Sequence, residues 1–105
     1  MITNQILQKT IEGMNAITKV NFVVTDPEGI SLASTVSDVT EFGRPAAEFA
    51  QSPAESQVIG GRQFFKVYDE KSLEFVLITM SDDEDRAQMM GKVMALQLSE
   101  LVVAY

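Results

Sequence analysis

Residues 21–35 read NFVVTDPEGISLAST and predict a β-hairpin. Two short apolar runs flank the turn Asp26-Pro27-Glu28-Gly29. Pro27 presets φ for the second turn position, Asp26 can accept hydrogen bonds from the backbone that follows it, and Gly29 tolerates a positive φ. The turn chemistry and the apolar pattern therefore agree on two strands that fold back on each other.

Helical segments lie on both sides of this hairpin. Over residues 4–18 the apolar side chains occupy one half of a helical projection and the polar side chains the other. Gly13 weakens this helix by about 1 kcal/mol relative to alanine, and we expect it to reflect close packing against a neighbour. Residues 44–50, with a proline in the first turn, predict a short helix. Ser52-Pro53-Ala54-Glu55 has capping-box spacing and predicts another helical turn.

The second half of the chain predicts further strands. Residues 62–68 and 73–80 have strand composition, and residues 69–72 join them as a hairpin. Both alternating sets of the second strand are apolar, which places it near the centre of the sheet. A short extra strand is expected at 57–59, with Gly60-Gly61 as a strand break or bulge.

A long helix closes the chain. Ser81-Asp82-Asp83-Glu84 predicts an N-cap and a capping box, and the acidic residues 82–85 complement the positive end of the helix dipole. These residues lack the glycine and the distal glutamate of a calcium-binding loop, so we expect no metal. No stop signal marks residues 101–105, and we expect the natural protein to continue.

The apolar residues of this last helix form two stripes. One stripe suffices to dock the helix on a sheet, and the second needs another cover. A copy of the same helix is an economical source of that cover, so we expect a homodimer; the alternative is a helix covered on both sides within one chain. The docking stripe is Ala87, Met90, Met94, Leu98, Leu101 and Tyr105, and the dimer stripe is Met89, Val93, Leu96 and Val103.

Composition limits the classes of function. The 105 residues fit one domain, 1–105, and 46% are apolar. The chain has no cysteine and no histidine, which removes disulfides, thiol nucleophiles and histidine-based catalysis. A net charge of −7 argues against direct nucleic-acid contact. No apolar run approaches a membrane span and no signal peptide is evident, so we expect a cytoplasmic protein. The carboxylates, serines, threonines and lysines that remain show no recognisable motif spacing, so we expect that it is not an enzyme and carries no cofactor.

The order of elements suits an α+β fold: a five-stranded antiparallel sheet flanked by N- and C-terminal helices, as in PAS, GAF and profilin-like domains. Nearly the whole chain resembles the N-terminal sugar-diacid recognition domain of bacterial carbohydrate diacid regulators, transcription factors of the PucR type. The opening helix and residues 23–34, a strand, an Asp-x-x-Gly turn and a strand ending in Ala-Ser, carry the resemblance. Where that family commonly has Phe-His-Glu-Gly-Ala, this chain has Phe42-Gly43-Arg44-Pro45-Ala46.

The resemblance implies a small-molecule sensor domain of a transcription regulator that signals through its C-terminal helix and through dimerisation. A carboxylate or sugar-acid effector needs arginines and hydroxyls in a cleft, which we expect between the sheet and the short helices. The candidate ligand-binding residues are Arg44, Arg62, Ser34 and Thr35. The alternatives are that these arginines are solvated surface residues, and that the domain is a profilin-like or roadblock-like interaction module with no metabolite ligand.

Overall fold

Three helices and five strands follow one another along residues 2–104, the part of the chain that the computed structural model describes. The predicted helix over residues 4–18 is confirmed, and so is the short extra strand before Gly60. The elements are α1 (Asn4–Thr18), β1 (Asn21–Thr25), β2 (Ser31–Ser34), α2 (Gly43–Gln51), β3 (Ser56–Ile59), β4 (Arg62–Asp69), β5 (Ser72–Met80) and α3 (Glu84–Ala104).

The strands form one antiparallel sheet in the order β2-β1-β5-β4-β3. Strand β5 lies at the centre, as its two apolar faces predict. Its Ile78 faces Val23 of β1 on one side and Phe64 of β4 on the other. The α+β fold with a five-stranded antiparallel sheet is therefore confirmed.

Neighbouring residues of a strand point to opposite faces of the sheet, and helices cover both faces. Helices α1 and α3 cover one face and α2 covers the other. Phe64 packs under α2, where its ring meets Phe49 edge-on at 5.7 Å, whereas Phe65 packs towards α3. The cluster under α2 consists of Val23, Phe42, Ala46, Phe49, Phe64, Val76 and Ile78.

The opening hairpin follows its turn chemistry. The Asp26 carboxylate accepts hydrogen bonds from the backbone N–H groups of Glu28 and Ile30, both at 2.9 Å. Gly29 adopts a φ of +89°, and its carbonyl oxygen lies 3.1 Å from the position that a Cβ would take on Gly43 at the start of α2. The turn is therefore packed directly against the first residue of that helix.

Two local expectations are wrong. Ser52-Pro53-Ala54-Glu55 forms no helical turn, because Ser52 ends α2: its hydroxyl and its backbone N–H both donate to the Phe49 carbonyl, at 2.7 and 3.0 Å. The Glu55 carbonyl then accepts from the Lys66 N–H at 3.1 Å, which extends the pairing of β3 with β4. Gly13 faces open space, with nothing within 4 Å of an added Cβ, so close packing does not explain it.

None of the helices within residues 2–104 has both the length and the apolar content that a membrane crossing requires.

Candidate functional site

A cleft of about 490 Å³ lies at one end of the sheet. Asn21 begins β1 and pairs in register with Met80 at the end of β5, and β4 begins beside them at Arg62. The end of α1 and the start of α3 complete the walls. The lining residues are Lys19, Asn21, Gly61, Arg62, Met80, Ser81, Asp82, Asp83 and Arg86.

Three cationic side chains line this cleft, each brought there by a different element. Lys19 is the C-cap of α1 and has a left-handed φ of 65°, which turns the chain into β1. Arg62 follows the Gly60-Gly61 turn, and Arg86 lies in the first turn of α3. Cations from three separate elements converge on one space, an arrangement suited to carboxylate groups.

Arg62 is the most firmly held of these cations. Its guanidinium carbon lies 5.0 Å from the centre of the Phe42 ring, and its terminal nitrogen forms an ion pair with Glu41. The Phe42 side chain is buried under α2, so the stacking fixes one face of the guanidinium. Arg62 is therefore oriented before any ligand arrives.

Acidic and hydroxyl groups occupy the side of the cleft formed by the start of α3. The Ser81 hydroxyl accepts a hydrogen bond from the Asp83 N–H at 3.2 Å, and the Asp83 carboxylate accepts from the Arg86 N–H at 3.1 Å. The helix therefore begins at Glu84 with Asp83 as its capping side chain, and the expectation that Ser81 is the N-cap is wrong. Within residues 2–104 no group of acidic side chains is arranged to hold a metal ion.

Thr35 does not line the cleft but bonds to a residue that does. Its hydroxyl donates to the Asn21 side-chain oxygen at 2.9 Å, and that oxygen also accepts from the Asn15 amide at 3.3 Å. The same hydroxyl accepts from the Phe22 N–H at 2.9 Å. Thr35 thus holds Asn21, a lining residue, in place.

Ser34 and Arg44 lie outside the lining of the cleft. The Ser34 hydroxyl donates to the Val36 carbonyl at 2.7 Å, and its backbone N–H donates to the Gln8 side chain at 2.9 Å, so Ser34 ties β2 to α1. The Arg44 side chain is 90% exposed and pairs with Glu48 at 3.9 Å on the same helix. Of the four candidate ligand-binding residues, only Arg62 lines the cleft.

Sequence reasoning missed Lys19, Asn21 and Arg86 as lining residues. They are far apart in the chain and meet only because β1 and β5 are adjacent and α3 starts where β5 ends. Lys19 carried one usable signal, since it stands between the end of a predicted helix and the start of a strand. Junctions between a helix and a strand lie at the ends of a sheet.

The space between the sheet and α2, where we expected the cleft, contains the packed apolar cluster described above. Each of its members is at most 3% exposed to solvent. The candidate site is therefore at the end of the sheet and not beneath the short helix.

The predicted dimer stripe is exposed on α3. Ala87, Gly91, Met94 and Leu98 are the buried residues of this helix and pack towards the sheet. At 3.6 residues per turn the dimer stripe lies on the opposite side of the helix. Of the docking stripe, Tyr105 lies outside the described residues. The exposed stripe consists of Met89 (65% exposed), Val93 (43%), Leu96 (62%) and Val103 (72%).

Two side chains away from the cleft have displaced pKa values. Burial, and then the hydrogen bond and charge of Glu55, raise the pKa of Tyr68 above its ordinary value. Hydrogen bonds from the backbone and hydroxyl of Thr40 lower the pKa of Asp38.

Models of known protein families, curated proteins and solved structures were each compared with this chain, and none of the three comparisons gave a match.

Proposed function

We propose that this domain is a non-enzymatic sensor that binds a small carboxylate, of the sugar-acid class, in the cleft at the end of the sheet. The observation that carries the proposal is the convergence of Lys19, Arg62 and Arg86 on one space of about 490 Å³. The proposal includes a role in a regulator of transcription, for which the resemblance of the sequence is the support.

The mixed charge of the cleft favours a sugar acid over a simple dicarboxylate. The cations can take a carboxylate group, with Arg62 already oriented by Phe42 and Glu41. Asp82, which lies among these cations in the lining, can accept hydrogen bonds only, and it repels a second carboxylate. Hydroxyl groups next to the carboxylate satisfy such acceptors, so a polyhydroxy acid matches both kinds of group in the cleft.

Binding in this cleft would act directly on α3. Ser81, Asp83 and Arg86 belong to the cap and first turn of that helix, so a ligand that contacts them biases its position. The exposed stripe further along α3 then transmits the change through self-association. Enzymatic turnover is not part of the proposal: cysteine and histidine are absent from the sequence, and its carboxylates, serines, threonines and lysines show no recognisable motif spacing.

The test is thermal unfolding with a panel of hexarates and aldonates, each paired with the uncharged polyol of the same carbon skeleton. A ligand at 100 times its Kd stabilises a folded protein by about 2.7 kcal/mol, which corresponds to a rise in Tm of about 10 °C or more for a domain of this size. We expect this rise for an acid and not for its polyol.

Arg62→Gln is expected to abolish the rise in Tm that the ligand causes, whatever its effect on the unliganded protein. Arg44→Gln is the matched control, because it removes the same charge from an exposed position outside the cleft. If no carboxylate raises the Tm at millimolar concentration, or if R62Q and R44Q respond alike, the sensor proposal fails.

A second candidate is a profilin-like or roadblock-like interaction module that binds no metabolite. The packed cluster under α2 and the exposed stripe on α3 favour it. It predicts that the stripe is required for self-association or partner binding, while no small acid changes the Tm.

A further inference from the structure

The exposed stripe of α3 has the spacing of a coiled-coil seam. Met89, Val93, Leu96, Glu100 and Val103 follow one another in steps of four, three, four and three residues. Residues at such steps lie on one side of a helix, along which a second helix can cross and pack. All five side chains are exposed. The seam therefore consists of four exposed apolar residues and one exposed acidic residue.

We propose that α3 pairs with α3 of a second copy of this chain in the antiparallel direction, with the two helices crossing at Leu96. This inference deepens the proposed function by giving its self-association step a geometry, and it does not depend on a ligand in the cleft. The arrangement has two-fold symmetry, so Leu96 of each copy meets Leu96 of the other.

Charge complementarity selects the antiparallel direction. Lys92 stands four residues before Leu96 and Glu100 stands four residues after it, both exposed beside or within the seam. In an antiparallel pair centred on Leu96, each Glu100 therefore lies next to Lys92 of the second copy. A parallel pair in register instead places the two Glu100 carboxylates side by side in the seam, where repulsion and desolvation oppose association.

The ends of the seam provide complementary surfaces for this direction. Met89 stands seven residues before Leu96 and Val103 seven residues after it, so antiparallel pairing brings them together. Beside Met89 is a groove that Ile17 and Met90 also line, and Ile17 is otherwise 81% exposed. Beside Val103 a second groove is lined by Tyr68 and Ser99. Each groove can receive the apolar end of the other seam.

A standard interface buries about 800 Å² on each partner, and an interface made by a single helix face buries less, so we expect a weak dimer. Cross-linking at high protein concentration suits a weak dimer, and the absence of native cysteine gives a clean background. Met89→Cys and Val103→Cys are made in separate chains, which are mixed and treated with a short bismaleimide. Because 14 residues of helix span about 21 Å, M89C and V103C come within reach of each other only in the antiparallel pair.

The expected result is efficient cross-linking of M89C to V103C and little cross-linking of either variant alone. Val58→Cys is the control, because Val58 is a comparably exposed apolar residue on β3, away from α3. Self-cross-linking of M89C or of V103C above the V58C level, or no mixed product above that level, overturns the proposal.

Glu100→Gln tests the direction without a cross-linker. In the antiparallel pair it removes two ion pairs, and we expect the Kd of the dimer from sedimentation to rise by about 2- to 10-fold. Relief of carboxylate repulsion in a parallel pair lowers the Kd instead, and that outcome overturns the proposal. Ligand-induced changes in Tm are measured on E100Q as well: their loss in R62Q but not in E100Q separates the cleft from the seam.

Discussion

Alanine at two helical glycines is expected to change stability in opposite directions. Gly13 lies in α1 with nothing within 4 Å of an added Cβ, whereas Gly91 is buried in α3 against Phe65. A Cβ on Gly91 would lie 2.6 Å from the Cζ atom of the Phe65 ring and closer still to a neighbouring ring carbon. The same chemical change therefore meets open space at one position and a buried ring at the other.

The expected magnitudes follow from these contacts. Replacing glycine by alanine inside a helix contributes about 1 kcal/mol of stability, so Gly13→Ala should raise the Tm by about 4–8 °C. At Gly91 the same gain is opposed by overpacking, which costs about 1–3 kcal/mol. The Phe65 ring is buried in the core and has little room to move. We therefore expect G91A to lower the stability by about 1 kcal/mol.

Urea unfolding followed by circular dichroism measures both variants, and Phe65→Leu supplies the test of cause. In the F65L background the ring edge is absent, so adding G91A should stabilise where it destabilises the native chain. A stabilising G91A in the native background would show that α3 does not press on Phe65 as described, and the packing of α3 on the sheet would have to be revised.

Two further predictions concern the hairpin and the sheet. Gly29→Ala should destabilise by about 2–4 kcal/mol in urea unfolding, because φ is +89° and a Cβ would lie 2.8 Å from the Gly43 carbonyl carbon; Gly60→Ala, with φ +58° and open space, should lose only about 1 kcal/mol. Tyr68 should ionise above 10.0 in an ultraviolet pH titration, since burial and Glu55 favour the neutral phenol, and E55Q should lower its pKa. The stability that comes from the neutral Tyr68 phenol in the folded state is present below the ordinary tyrosine pKa and is lost as pH rises through the raised pKa.

Much of the fold was predictable because local chemistry and tertiary packing agree. The hairpin turn at Asp26 and the central position of β5 follow from turn residues and from apolar faces that need cover on both sides. The prediction failed at Ser52, where a capping-box pattern competes with the end of the preceding helix. The Ser52 hydroxyl donates to the carbonyl of Phe49 in the last turn of α2. Whether it does so depends on where α2 ends, which the local pattern does not determine.

The candidate site was less predictable, because it is made by adjacency in the sheet. Arg62 was identifiable as an arginine next to a turn, but nothing local connects it with Lys19 or Arg86. Arg44, at the start of a predicted helix, was an equal candidate from the sequence and lies on an exposed helix surface instead. Residue type alone therefore cannot separate the two arginines, whereas strand order does.

The position of the cleft at the end of the sheet has a kinetic consequence. Lys19, Asp82, Asp83 and Arg86 are all exposed, so the proposed acid would reach them without any helix or strand first moving aside. A pocket beneath α2 would require the Phe49 and Phe64 rings to separate before each entry and each departure. Ligand exchange at the sheet end would instead be as fast as diffusion and the release of the ligand permit, and occupancy would follow changes in concentration without a conformational delay.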